Sequence, residues 1–195
     1  MTISNGGRLL ACSLLCATIA VSGCTSTSST KAKSLKNSTT QASGLADCEH
    51  ITVMPFPMPA KRQKDASIGV TFAQGIEARL ENDFGPIFQT VEYGAAARGL
   101  DKECLVTGSI TKYKPGNRVA RAILIGLGAA SLEGNVVVKD AASGTALLSA
   151  PFDKLWAWGG ILGASKGMDD MVTETSASVA ATIAHGKGWN PPAAK

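Results

Sequence analysis

Aromatic residues make up only 5% of the 195-residue chain, and the formal charge is a mild +4. No dense basic patch with interleaved aromatics occurs, which argues against a nucleic-acid partner. Histidine is scarcer still: His50 and His185 are the only two. They lie far apart, and no cluster with zinc-ligand spacing accompanies either. Neither sits in a recognisable triad signature. Asp169-Asp170 suits the first turn of a helix better than an acid–base pair. No internal repeat is visible. The sequence therefore gives no catalytic residue, no metal ligand and no cofactor site, and the expectation is a non-enzyme. A hydrolase or transferase stays open as a third class, because catalytic constellations can evade sequence inspection.

Two glycine-rich stretches imitate nucleotide motifs and fall short. "GLGAAS" from Gly126 has Ser131 in place of the last glycine of GxGxxG, and it leads into a strand-like run where the fingerprint requires a helix. "GILGASKG" has Ser165 where a phosphate loop has its second glycine, and Gly167 in place of the magnesium-binding hydroxyl. Lys166 then reads as a solvated residue ahead of a helix.

What the chain does have begins at its start. Arg8 supplies a positive region, "LLACSLLCATIAV" an apolar run of signal-peptide length, and Ser22-Gly23 the small residues before Cys24. The run is short for a membrane span, which needs about 20 apolar residues. "VSGC" resembles the lipobox of bacterial lipoproteins, with Val21 where leucine is commonest. That resemblance implies cleavage before Cys24 and acylation of its thiol and new amine; the alternative is an ordinary secreted protein cut nearby. Several acyl chains, at about 0.8 kcal/mol per buried CH₂, make a firm anchor. An Asp after the cysteine tends to hold Gram-negative lipoproteins at the inner membrane. Thr25 stands there instead, so the resemblance implies the outer membrane, facing the periplasm.

From Thr25 to Ala46, 11 of 22 residues are Ser or Thr, with Lys31, Lys33 and Lys36 and no acid. Such a segment cannot bury enough apolar surface to offset its ordering entropy. As a flexible coil it spans about 25 Å root-mean-square. The expected organisation is a leader at 1–23, an anchor and linker at 24–46, a globular domain at 47–187 and a tail at 188–195.

Within that domain, "HITVMPF" predicts a strand near 50–56 ended by prolines. Phe72, Ile76, Leu80 and Phe84 recur at helical spacing, with Gly85-Pro86 as a stop and Gly75 as a weak point. "IFQTVEYG" predicts a second strand, and "CLVTGSITKY" a third that is apolar on both faces at first and so central. "LEGNVVVKD", "ASG" and "TALLSAPFDKLWAW" read as a long hairpin. Met168, Met171, Val172, Thr175, Val179 and Ile183 mark one face of a last helix, with Asp169 and Asp170 in its first turn and His185-Gly186 at its end. The order is β-α-β-β-β-β-α, or one strand fewer. It corresponds to an α/β (α+β) fold, a single mixed sheet of four to five strands with two helices packed on one side. Cys48 and Cys104 each open a predicted strand; were those strands adjacent and parallel, the two would be neighbours. A disulfide is then plausible in an oxidising compartment, against the alternative of two separate buried thiols.

"KPGNRVARAILIGLGAASLEG" is the most distinctive stretch. Arg118 and Arg121 precede nine uncharged, small or branched residues, 122–130. These read either as a glycine-bent element packed on the core or as an exposed apolar surface for a membrane or partner. The stretch from Val106 to Gly144 resembles the core of a broad family of uncharacterised bacterial lipoproteins with a domain of unknown function, a resemblance that covers about residues 48–186. In that family a strand, a G-x-R-x-x-R segment, a glycine-bearing apolar run and a D-x-x-[ST]-G hairpin recur in this order. The matching positions are Gly116, Arg118, Arg121, Gly126, Gly128, Asp140, Ser143 and Gly144. The element order is also similar to the amino-terminal domain of the TolB translocation protein, to activator lipoproteins for penicillin-binding proteins and to the curli-secretion lipoprotein.

The expectation for function is a membrane-tethered, non-enzymatic binding or scaffold module for a periplasmic or envelope protein. Its contact surface would be a sheet edge or "LWAWGG", where Trp156 and Trp158 fall on one side of a strand; simple packing beneath the last helix is the alternative for those tryptophans. The competing function is a subunit of a membrane-inserted, secretion-type homo-oligomer.

Overall fold

The computed structural model describes residues 44–117, 128–156 and 167–190. Five strands form one sheet: β1 (His50–Val53), β2 (Thr90–Tyr93), β3 (Glu103–Lys114), β4 (Ala130–Asp140) and β5 (Ala146–Trp156). Their spatial order is β2-β1-β3-β4-β5. β1 runs parallel to both β2 and β3, whereas β3, β4 and β5 are antiparallel neighbours. The parallel pairs need crossovers, and helix α1 (Ala66–Phe84) supplies the one from β1 to β2. Helix α2 (Met168–Gly186) closes the domain. The element order and the mixed sheet carrying two helices match the sequence expectation, with the central position of β3 among its correct particulars.

Alternation along the strands decides which face is covered. Leu148, Ala150 and Phe152 of β5 are buried, while Ser149, Pro151 and Asp153 between them are exposed. The buried set joins Ile51, Val53, Val106, Ile110, Val136 and Val138 in one core with Phe72, Ile76 and Leu80 of α1 and Val172, Val179 and Ile183 of α2. Phe72 stacks obliquely on Phe152 at 5.0 Å between centroids and meets Phe56 edge-on at 5.1 Å.

Glycine lets the layers close. A Cβ at Gly69 would run into the carbonyl oxygen of Phe56, so only a bare backbone allows the start of α1 to lie there. Gly75, which the sequence marks as a weak point of α1, is where α2 crosses: a Cβ there would come 2.7 Å from Ser176 Oγ. Ser176 donates to the carbonyls of Phe72 across the helix pair (3.2 Å) and of Val172 in its own helix (2.8 Å).

Leu45 and Trp189 lie outside the boundaries that composition suggests, yet both belong to the packed body. Leu45 is fully buried in a short 3₁₀ turn, Leu45–Asp47. Trp189 packs edge-on against Phe84 at 4.9 Å.

Candidate functional site

The sheet has two unlike ends. At one, His50 opens β1 opposite Glu103 at the start of β3, and Cys104 pairs with Asp140 at the end of β4. The chain enters the body here through Gly44, and α2 finishes here. At the other end Lys114 pairs with Ser131 and Ala130 with Trp156. From Cys104 to Lys114 β3 advances ten residues, about 33 Å at strand rise.

At the entry end Cys48 and Cys104 behave as the adjacent-strand expectation required. Ile51 of β1 is level with Cys104 of β3, and Cys48 and Cys104 form a disulfide with Cα atoms 5.7 Å apart. Around it the chain is fastened further. Leu45 lies against Gly186 at the end of α2, where a Cβ would come 2.7 Å from Leu45 Cδ2. Lys187 donates from Nζ to the carbonyls of Ala46 (2.9 Å) and Cys48, with its ammonium 5.4 Å from the centroid of the Phe88 ring. Burial pushes the Lys187 ammonium below its ordinary pKa, against the opposing pull of Glu49 and Asp47. Glu49 pairs with Lys102 and bonds Gln89.

Beside this lies a buried carboxylate that sequence reading missed. Glu103 is 2% exposed. It accepts the Thr52 hydroxyl at 2.7 Å and the amides of Arg98 (2.9 and 3.0 Å), Gly99 (2.8 Å) and Leu100 (3.2 Å). Burial alone would raise its pKa. The hydrogen bonds from Arg98, Thr52, Leu100 and Gly99 outweigh it and hold the carboxyl below its ordinary value. The arrangement resembles an anion cradle that the protein fills with its own side chain, pinning the loop between β2 and β3.

The D-x-x-[ST]-G hairpin also has a physical account. Asp140 accepts both the amide and the hydroxyl of Ser143 at 2.6 Å, and Gly144 takes the left-handed φ of +70° that closes the turn. Hollows are shallow and mixed. One of about 310 Å³ lies at the entry end beside the disulfide, between Asp47, Lys102, Asp140 and Leu147. Another of about 340 Å³ lies between the helices at Gln74, Arg79 and Thr173. Among the described residues no three His, Cys, Asp or Glu side chains converge to hold a metal, and no helix is long and apolar enough to cross a membrane.

The remaining expected site residues gather at the far end or fall outside the description. Trp156 is the last residue of β5, opposite Ala130. Cys24, Arg118, Arg121 and Trp158 lie outside the described residues, as does most of the 122–130 run. The end of β3 before segment 118–127, the start of β4 after it and the end of β5 before segment 157–166 stand at the same end of the sheet, and α2, which follows, pairs its Glu174 with Lys154 near the end of β5. Leu155, 61% exposed, sits there too. Of the two sheet edges, β5 is long, but Pro151 at its middle has no N–H to offer an incoming strand. Asp170 accepts the Gly167 amide at 2.6 Å at the start of α2, consistent with a helix-capping role. Downstream of Gly128 the chain enters β4 rather than a helix, which fits no dinucleotide-binding turn.

Comparison with known proteins places the fold. The PelC dodecamer from Paraburkholderia phytofirmans is similar at 16% identity with a TM-score of 0.53, covering 72% of this chain and 90% of that one. A point variant of the same PelC dodecamer gives 16% and 0.50 over 72% and 89%. A putative lipoprotein from Caulobacter crescentus CB15 gives 10% and 0.41 over 77% and 97%. No curated protein sequence matches. Residues 27–160 match the domain of unknown function DUF4410, and the chain belongs to that family.

Proposed function

We propose that this protein is a non-enzymatic lipoprotein module of the outer membrane, held by acylated Cys24 and facing the periplasm, which docks on an envelope protein through the far end of its sheet. The single observation that carries the reading is the polarity of the body. The chain enters at one end, and both segments bearing Arg118, Arg121 and Trp158 depart from the opposite end, about 33 Å away along β3. A tether at one pole leaves the other pole free, and anchoring raises the effective concentration near a partner. Exposed Leu155 adds apolar surface to that pole.

A second reading, a homo-oligomeric secretion-type subunit, has one favouring observation: the PelC relatives of the fold are dodecamers. In that case the far-end segments would meet a neighbouring copy or the bilayer.

Photo-crosslinking in intact cells tests both. A photoreactive residue at Arg121 or Trp158 is expected to capture one discrete envelope protein, while the same probe at Ser143, in the turn at the entry end, captures none. Capture of a second copy from the far end would favour the oligomer. Equal capture from Ser143, or capture from Ser143 alone, would overturn the polar arrangement.

A further inference from the structure

We propose that the first residues of the body form a mechanical lock, which passes tension from the linker around β1 into β3 and the end of α2. The inference rests on the tethered reading above, since only an anchored body is pulled by its entry point. It draws on fastenings that the domain would not need merely to begin.

Three chemically independent attachments fall within four residues, all ahead of β1. Leu45 is an apolar plug, fully buried and seated against Gly186. Cys48 is bonded covalently to β3 through Cys104. Lys187 grips the carbonyls of Ala46 and Cys48 from the end of α2. A lysine just past a helix end ordinarily extends into solvent, where it complements the helix dipole. This one turns back onto the entering chain.

β1 explains why a lock would matter. It has four residues, and its neighbour β2 has four as well, so pulling the linker directly against β1 would load the shortest ladder in the sheet. The disulfide removes β1 from the path. Force entering at Cys48 crosses to Cys104 and runs along the twelve-residue β3, which is laddered on both sides. Lys187 and Leu45 divert a further share to α2.

Single-molecule pulling tests this on the unlipidated protein. One handle is placed in the linker at Ser34 and the other on a click-reactive residue replacing Lys114 at the far end of β3. The oxidised wild type is expected to show no step beyond stretching of the linker, because the covalent path through the disulfide to Lys114 already lies extended along β3. A Cys48→Ala/Cys104→Ala variant is expected to gain an early step as nine residues from Leu45 to Val53 pull free, its size being their contour of about 30 Å less the distance the folded segment already spans along the sheet. Adding Lys187→Met should lower the force of that step at least twofold. Absence of any early step in the disulfide-free protein would overturn the lock. Should that protein fail to fold, Leu45→Ala/Lys187→Met with the disulfide intact is pulled instead. Slack released ahead of Cys48 at low force then supports the lock, and a trace like wild type overturns it. Because the handle replaces the lipid, a native Cys24 found without acyl chains would defeat the tethered reading while leaving this mechanical result as it stands.

Discussion

Replacing Glu103 by glutamine tests the reasoning where the structure is most specific. One carboxylate oxygen accepts the Thr52 hydroxyl and the Arg98 amide; the other accepts the amides of Arg98, Gly99 and Leu100. Glutamine offers one oxygen. In its better orientation that oxygen keeps the three amides and the Thr52 hydroxyl turns to accept, but the new NH₂ confronts the Arg98 N–H. The charge-assisted bonds from four donors become neutral ones. Hydrogen bonds to charged groups contribute about 1.5–3 kcal/mol each and neutral ones about 0.5–1.5, so the variant should lose about 2–4 kcal/mol at pH 7. Urea unfolding measures this directly. The pH dependence gives a second signature. Because the folded carboxyl lies below its ordinary value of 4.5, the wild-type advantage is complete above that value and disappears as pH falls through the lowered one. The gap between wild type and Glu103→Gln should therefore close on acidification. A gap below about 0.5 kcal/mol at pH 7, well short of the range for charged hydrogen bonds, or one that stays constant with pH, would refute the cradle.

Other consequences follow from the same packing. Removing the Cys48–Cys104 disulfide, which closes a separation of 56 residues, should cost about 4 kcal/mol in the loop-entropy account, read as a drop in urea midpoint. Gly69→Ala should destabilise by about 1–3 kcal/mol or more, since its methyl meets a backbone oxygen that has no rotamer to escape into, and thermal unfolding would register it as a lowered Tm. Gly144→Ala, forced into a left-handed conformation at the β4–β5 turn, should cost about 1–2 kcal/mol without altering the far end, checked by amide exchange along the hairpin.

How much of this could be read beforehand depended on whether a signal was local. Phe72, Ile76, Leu80 and Phe84 repeat at helical spacing and are all buried, so α1 was legible from periodicity. β3 declared itself through the run from Cys104 to Val106, and the disulfide followed from two cysteines at the heads of strands that proved parallel neighbours. Strand ends were less legible: β1 stops at Val53 rather than near 56, and β4 starts at Ala130 rather than Leu132. The devices at the entry end left no local trace. Glu103 reads as a surface residue of a strand because its partners are backbone amides, which carry no letter in the sequence. Lys187 reads as a solvated helix end, and Leu45 is a lone apolar residue at the close of a Ser/Thr/Lys-rich run. Each depends on contacts between residues far apart in the chain, such as the 141 positions between Ala46 and Lys187. The far end was recognised as distinctive, but only the strand register reveals that its two apolar segments leave from the same pole.

The account stands on Cys24 as the point of attachment. Intact-mass analysis of the protein extracted from native membranes tests this most directly. The account predicts a chain that begins at Cys24 and carries the added mass of several acyl chains; a chain with an unmodified Cys24, or one cleaved downstream of it, would contradict the tether and the function drawn from it.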